Sequence, residues 1–60
     1  MIMKTKLYFE GEVKPIIKDF DLIDIGRKII RKNKKYLVTK TITTFEYEIK
    51  QELYLDEIKI

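Results

Sequence analysis

Sixty residues with a net charge of +3 make one small domain, residues 1–60, near the lower size limit for a self-sufficient core. Cysteine and histidine are absent, which excludes disulfides and the usual zinc clusters, and serine is absent as well. The common nucleophile and base pairs of enzymes cannot be assembled from what remains. We therefore expect no enzyme activity, no metal and no cofactor.

The N-terminal stretch MIMKTKLYF does not have the pattern of a signal peptide, because Lys4 and Lys6 interrupt its apolar residues. No apolar run approaches the roughly 20 residues that a membrane span requires. We therefore expect a cytoplasmic protein.

The first predicted element is a strand in KTKLYFEGEV, where Leu7, Phe9 and Val13 alternate with charged residues. Gly11 inside this segment indicates a bulge or a close backbone crossing. We expect all three apolar side chains to face the core.

The next segment, PIIKDFDLIDIG, gives two readings. Ile16, Phe20 and Ile23 lie at helical spacing behind Pro15, which predicts one short helical turn near 15–24. The three aspartates in the same segment favour a packed loop instead. The sequence leaves both readings open.

The stretch RKIIRKNKKY carries six basic residues and no acidic one. Asn33 tolerates a positive φ and therefore suits a turn, which predicts a β-hairpin over residues 27–42. In its second strand, alternation places Tyr36, Val38 and Ile42 on the core side.

The clearest pattern is FEYEIKQELYL, which predicts a strand whose core face consists of Phe45, Tyr47, Ile49, Leu53 and Leu55. The preceding Thr43 and Thr44 make a poor tight turn. Two alternatives follow for residues 36–55: one long bent strand, or two strands.

These elements predict an all-β fold, either a small antiparallel meander or an SH3-like barrel of about four to five strands. The order of LYFEGEV, a loop closed by IG, RKIIRKNKKYLVTKTI and a last alternating strand resembles small SH3-like β-barrel proteins encoded by short phage or mobile-element reading frames. Lys34 stands where the hairpin glycine of those proteins is usual. The resemblance implies a compact β fold, a binding function and, for a phage protein, a place in the host cytoplasm; it carries over no site residue.

A second set of apolar residues is predicted to lie on the solvent-exposed face of the sheet. With the core side chains inward, alternation turns five others outward: Tyr8, Ile30, Leu37, Tyr54 and Ile58. Neighbouring exposed apolar residues mark interfaces, and tyrosine is enriched in them. We therefore predict a protein-binding module with this set as its interface, a homodimer with a protein target, and, if the phage resemblance holds, an inhibitor or modulator of a host defence protein.

The alternative is a small nucleic-acid-binding β-barrel that acts through the basic hairpin 27–35. Three or more phosphate contacts would give loose, salt-sensitive association. The residues that would carry it are Arg27, Arg31, Lys32, Lys34 and Lys35.

Overall fold

The computed structural model describes residues 2–59, which form five β-strands and, within that range, no helix. The strands are β1 (Met3–Phe9), β2 (Ile16–Phe20), β3 (Lys28–Arg31), β4 (Lys34–Phe45) and β5 (Ile49–Glu57). They lie in one sheet in the order β2-β1-β5-β4-β3, curled into a half-barrel with β2 and β3 at its edges. The predicted all-β fold class is confirmed. The sheet is mixed rather than a pure antiparallel meander, because β1 and β5 are parallel.

The concave side of the curled sheet holds the core. Leu53 and Leu55 come from the central strand β5, Leu7 comes from β1 on one side of it, and Tyr36 and Val38 come from β4 on the other. Side chains of directly paired residues share one face of a sheet, so the register of Leu7 with Leu53 places both on the concave side. The core also includes Phe9 and, from the connection between β2 and β3, Ile23.

The first strand ends at Phe9, so the expectation that Val13 belongs to the core is wrong. Gly11 has a φ of 86° and lies in a turn, where Glu12 N–H donates to the Phe9 carbonyl (3.0 Å). Only glycine adopts this backbone conformation readily. Val13 lies beyond the turn and is 97% exposed.

Residues 16–20 form an edge strand, so both the helical turn and the packed loop are wrong for them. Ile16 pairs with Leu7 and Phe20 with Met3, which puts Ile16 and Phe20 on the concave side. Two residues four apart fit the period of a strand as well as that of a helix. Lys18 lies between them on the same face of β2. Because it is charged and exposed at the sheet edge, the sequence of this strand does not show alternating apolar and polar residues.

The predicted hairpin and its turn are confirmed. Lys32 and Asn33 connect β3 to β4, with φ values of 53° and 63°. Two consecutive positive φ values define a type I′ turn, whose twist matches that of the flanking strands. Arg31 and Lys34 pair directly beside the turn.

The predicted face of Ile42 is wrong because of an irregularity in β4. The register against β5 shifts between Val38 and Lys40, so Thr39 is an extra residue, as in a β-bulge. Beyond it the alternation is reversed. Thr41 pairs with Leu53 on the concave side, and Ile42 faces outward.

Residues 36–55 form parts of two strands, β4 and β5, joined by residues 46–48. The core face predicted for FEYEIKQELYL therefore begins at Ile49, which is half-buried, and continues through buried Leu53 and Leu55. Phe45 and Tyr47 are 71% and 104% exposed, so their assignment to the core is wrong.

Candidate interaction surfaces

A buried glutamine fixes the connection between β2 and β3 across the concave side. Gln51 Oε1 accepts from Ile23 N–H (3.2 Å), and Gln51 Nε2 donates to Thr5 Oγ1 and to the Asp21 carbonyl, both at 2.8 Å. The threonine hydroxyl in turn donates to the Met3 carbonyl (3.1 Å). Within residues 2–59 no buried side-chain polar atom lacks a hydrogen-bond partner. The polar groups of the interior are therefore engaged in holding the fold.

The outer, convex face carries an aromatic pair at its centre. Tyr8 and Tyr54 are directly opposite each other in the parallel pair, with ring centroids 4.8 Å apart and an interplanar angle of 9°. From the strand on the other side of β5, Lys40 places its Nζ 5.3 Å from the Tyr54 ring centroid. Tyr54 thus lies between a ring and a cation, both contributed by its own chain.

The other residues of the predicted interface lie toward the hairpin end of the same face. Ile30 pairs with Lys35, and Ile58 N–H donates to the Lys35 carbonyl (2.8 Å), so this lysine separates the two isoleucines. Leu37 pairs with Asp56. Ile30 is 71% exposed, whereas the other four predicted residues are half-buried. The five residues share a face, but charged side chains divide them.

The basic hairpin does not present all its cations to solvent. Arg31 is on the concave side, where it forms an ion pair with Glu12 and its guanidinium carbon lies 4.8 Å from the Phe9 ring centroid. Both contacts are internal to the fold, because they connect Arg31 in β3 with Phe9 in β1 and with Glu12 in the loop after β1. Arg31 is therefore committed to a structural role.

Acidic residues accompany the lysines at the hairpin tip. Lys32 and Lys34 line a shallow recess together with Glu10, Glu12 and Glu57. Glu10 is held there because its carboxylate accepts from Glu57 N–H (2.8 Å). These carboxylates offset part of the positive charge that the sequence places in this segment.

At the opposite end of β4 the structure exposes an apolar surface that the sequence reading missed. A recess of about 460 Å³ there is lined by Met3, Asp21, Leu22, Phe45 and Ile49. We use the name apolar end for this recess together with the neighbouring Tyr47.

The exposed members of the apolar end lie on connections or at the very end of a strand. Leu22 follows β2 and is 58% exposed, Phe45 is the last residue of β4, and Tyr47 lies in the connection to β5. The local sequence carries no signal for this surface, because Phe45 and Tyr47 continue the alternation of the strand that follows them.

Within residues 2–59, no group of three or more acidic, histidine or cysteine side chains is arranged to hold a metal ion. The same residues contain no helix long and apolar enough to cross a membrane. Comparison with protein-family models, with curated proteins and with solved structures finds no match to this chain. The resemblance to small phage-encoded barrels stays a prediction.

Proposed function

We propose that this chain is a non-enzymatic protein-binding module that acts as a homodimer joined through the apolar end and occupies a surface on a target protein. The observation that carries the dimer is the exposure of Leu22 and Phe45 around one apolar recess, with Tyr47 fully exposed in the connection two residues after Phe45. Exposed apolar residues are common singly, but a group around a recess is typical of an interface.

The area of the apolar end suits a second copy of the chain. Phe and Tyr side chains bury about 150–250 Å² each, so at the observed exposures Phe45, Tyr47 and Leu22 offer on the order of 500 Å² per copy. Two copies would then bury about 1,000 Å² in total, close to the minimum for a specific interface. We therefore expect a dimer of micromolar affinity.

The predicted outer-face interface is the competing surface for self-association. Its most aromatic part is already covered within the chain, because Tyr54 packs between Tyr8 and Lys40. Leu37 is half-buried and lies opposite Asp56, a charge that an apolar contact would have to desolvate. Among the described residues, the recess of the apolar end has Asp21 as its only charged lining residue, whereas Glu46, Glu48 and Lys50 lie around Tyr47.

The oligomeric state tests the dimer directly. Light scattering on the eluting protein should give a dimer mass for the wild type at about 100 µM, since a micromolar dimer is saturated there. The Phe45→Lys variant should elute as a monomer with an unchanged circular dichroism spectrum. The matched control, Leu37→Lys, places the same charge on the outer face and should remain a dimer.

Other results would overturn this assignment. A monomeric Leu37→Lys with a dimeric Phe45→Lys would move the interface to the outer face, and a monomeric wild type would remove the dimer altogether.

The nucleic-acid alternative has its own measurement. Binding of a labelled DNA or RNA oligonucleotide, followed by anisotropy near physiological salt, should stay weaker than micromolar. Submicromolar binding that falls linearly with salt on a log–log scale and disappears when Lys32, Lys34 and Lys35 become Gln would replace the protein-binding proposal.

The target-binding role is supported by the small all-β fold with exposed edges and by the sequence resemblance to phage-encoded barrels. A protein of this size without catalytic groups can still inhibit an enzyme by covering its surface. If the resemblance holds, the target is a host protein, and the module blocks or redirects it.

A further inference from the structure

The two edges of the half-barrel face each other across an open groove. Its volume is about 240 Å³. Among the described residues no backbone hydrogen bond joins β2 to β3, the strands on either side. We call this space the seam groove; its lining residues are Leu7, Phe9, Ile16, Lys18, Phe20, Ile29, Ile30 and Arg31.

The backbone of β3 presents free hydrogen-bonding groups to the seam groove. Val38 N–H donates to the Arg27 carbonyl (2.9 Å), so Arg27 is bonded toward β4. Because bonded and non-bonded residues alternate in antiparallel pairs, Ile29 and Arg31 also bond toward β4. Lys28 and Ile30 then turn their N–H and C=O groups away from the sheet. A row of such groups is a template for another strand.

The side chains of the seam groove define what kind of strand would fit. Ile16, Phe20 and Ile29 are only partly buried against the core, so they offer apolar contacts to an added side chain. The two charged lining residues are Lys18 and Arg31, both cations.

The neighbouring charges leave this positive character in place. Glu12 is engaged by Arg31, and Asp19, whose register partner is Lys4, lies on the convex side, away from the groove. Lys28, on the free edge itself, is exposed. The rim is therefore positively charged, with Lys18 as its unengaged cation inside the groove.

We propose that the seam groove binds an extended acidic peptide segment of a partner protein, which adds as a strand to the free edge of β3. Its concave-side residues are apolar and pack against Ile16, Phe20 and Ile29, its carboxylates lie on the opposite side of the strand beside Lys28, and the exposed Lys18 adds to the positive field that attracts them. Main-chain hydrogen bonds supply affinity and the alternate side chains supply specificity, as in other strand-addition complexes. This site has a lining different from that of the apolar end, although Phe20 pairs with Met3 of that recess, and it goes beyond the proposed dimer.

A designed peptide tests the charge preference. The probe is a fluorescein-labelled heptapeptide of alternating Glu and Ile, and its control has Lys in place of every Glu. Anisotropy should show saturable binding of the acidic peptide and at least about tenfold weaker binding of the basic one, since opposite rim charges attract it. Equal binding of both peptides, or binding of neither, would overturn the proposal.

Two charge reversals locate the site. Lys18→Glu should weaken binding of the acidic peptide about fivefold to tenfold, the range expected when an exposed attraction becomes a repulsion. Lys4→Glu makes the same change on the convex side and should alter binding less than twofold. If Lys4→Glu weakens peptide binding more than Lys18→Glu does, the peptide lies on the convex face and the proposal is wrong.

The backbone contact has a separate readout. On saturation with the acidic peptide, the amide protons of Lys28 and Ile30 should exchange more slowly with solvent. Ile30→Pro, which removes an edge N–H without breaking the bonds to β4, should abolish that binding. Binding without protection at these amides would overturn strand addition. All measurements are repeated in Phe45→Lys, so failure of the dimer and failure of the groove give different results.

Discussion

Replacing Gln51 with leucine removes the hydrogen bonds that hold the β2–β3 connection over the core. The side chain is 1% exposed and makes three bonds, to Ile23 N–H, to Thr5 Oγ1 and to the Asp21 carbonyl. Leucine has a similar size, so the change deletes the bonds without leaving a large cavity.

The magnitude follows from the groups that the substitution leaves behind. A buried polar group that loses its partner costs about 1–3 kcal/mol, and Ile23, whose N–H donates to Gln51, is 2% exposed. The added apolar burial of leucine offsets part of the loss. We expect Gln51→Leu to lower the free energy of unfolding by about 2–4 kcal/mol, against a total of about 3–9 kcal/mol for a domain of this size.

The assay is urea unfolding followed by far-ultraviolet circular dichroism and tyrosine fluorescence, since the chain has no tryptophan. Thr5→Val is the matched control because it loses only the hydroxyl of the same network, and it should cost about 1 kcal/mol. The double variant should be less destabilised than the two single effects added together, since both remove one shared bond. A loss below about 1 kcal/mol for Gln51→Leu, or strict additivity in the double variant, would refute the role of this network.

Three further changes test the hairpin, the core and the Arg31 contacts. Lys32→Asn should stabilise the fold by about 0.5–1 kcal/mol, because asparagine accepts the positive φ of the turn better than lysine; an unchanged urea midpoint would contradict this. Leu53→Ala should cost about 2–5 kcal/mol, whereas Ile17→Ala on the exposed face should change stability by less than about 0.5 kcal/mol; similar losses would contradict the assigned core. Arg31→Met should cost about 1 kcal/mol at low salt and less at high salt, and a salt-independent loss would exclude the ion pair with Glu12.

The sequence predicted those parts of the fold in which one pattern has one structural meaning. Leu53 and Leu55 occupy alternate positions inside a single strand flanked by Glu52 and Asp56, and both are buried. Asn33 fits the turn because few other residues accept its backbone conformation. The fold class followed from these elements alone.

The errors arise where pairing between distant segments decides the outcome. Thr39 is extra in β4 only because of its register against β5, and no local feature marks it. Ile16 and Phe20 become a strand because β1 offers an edge to pair with. Tertiary pairing overrides local propensity in such cases.

The candidate site was predicted in part. The sequence placed Tyr8, Ile30, Leu37, Tyr54 and Ile58 on the convex face, where the structure has them, while their role in binding stays a prediction. It could not find the apolar end, because Phe45 and Tyr47 look like core residues until the break at 46–48 is known. The seam groove depends on how far the sheet curls, which no single segment encodes.

The parallel pairing of β1 with β5 also constrains the order in which this chain folds. Thr5 and Gln51 pair directly, although 46 positions separate them along the chain. The loop-closure entropy of such a contact must be overcome before any core forms around it, and topologies of this kind fold in milliseconds to seconds. On the ribosome, β1 has only β2 as a partner until β5 has emerged. The apolar side of β1 therefore has no β5 residues to pack against until β5 has been synthesised, and transiently exposed apolar surface of this kind promotes aggregation.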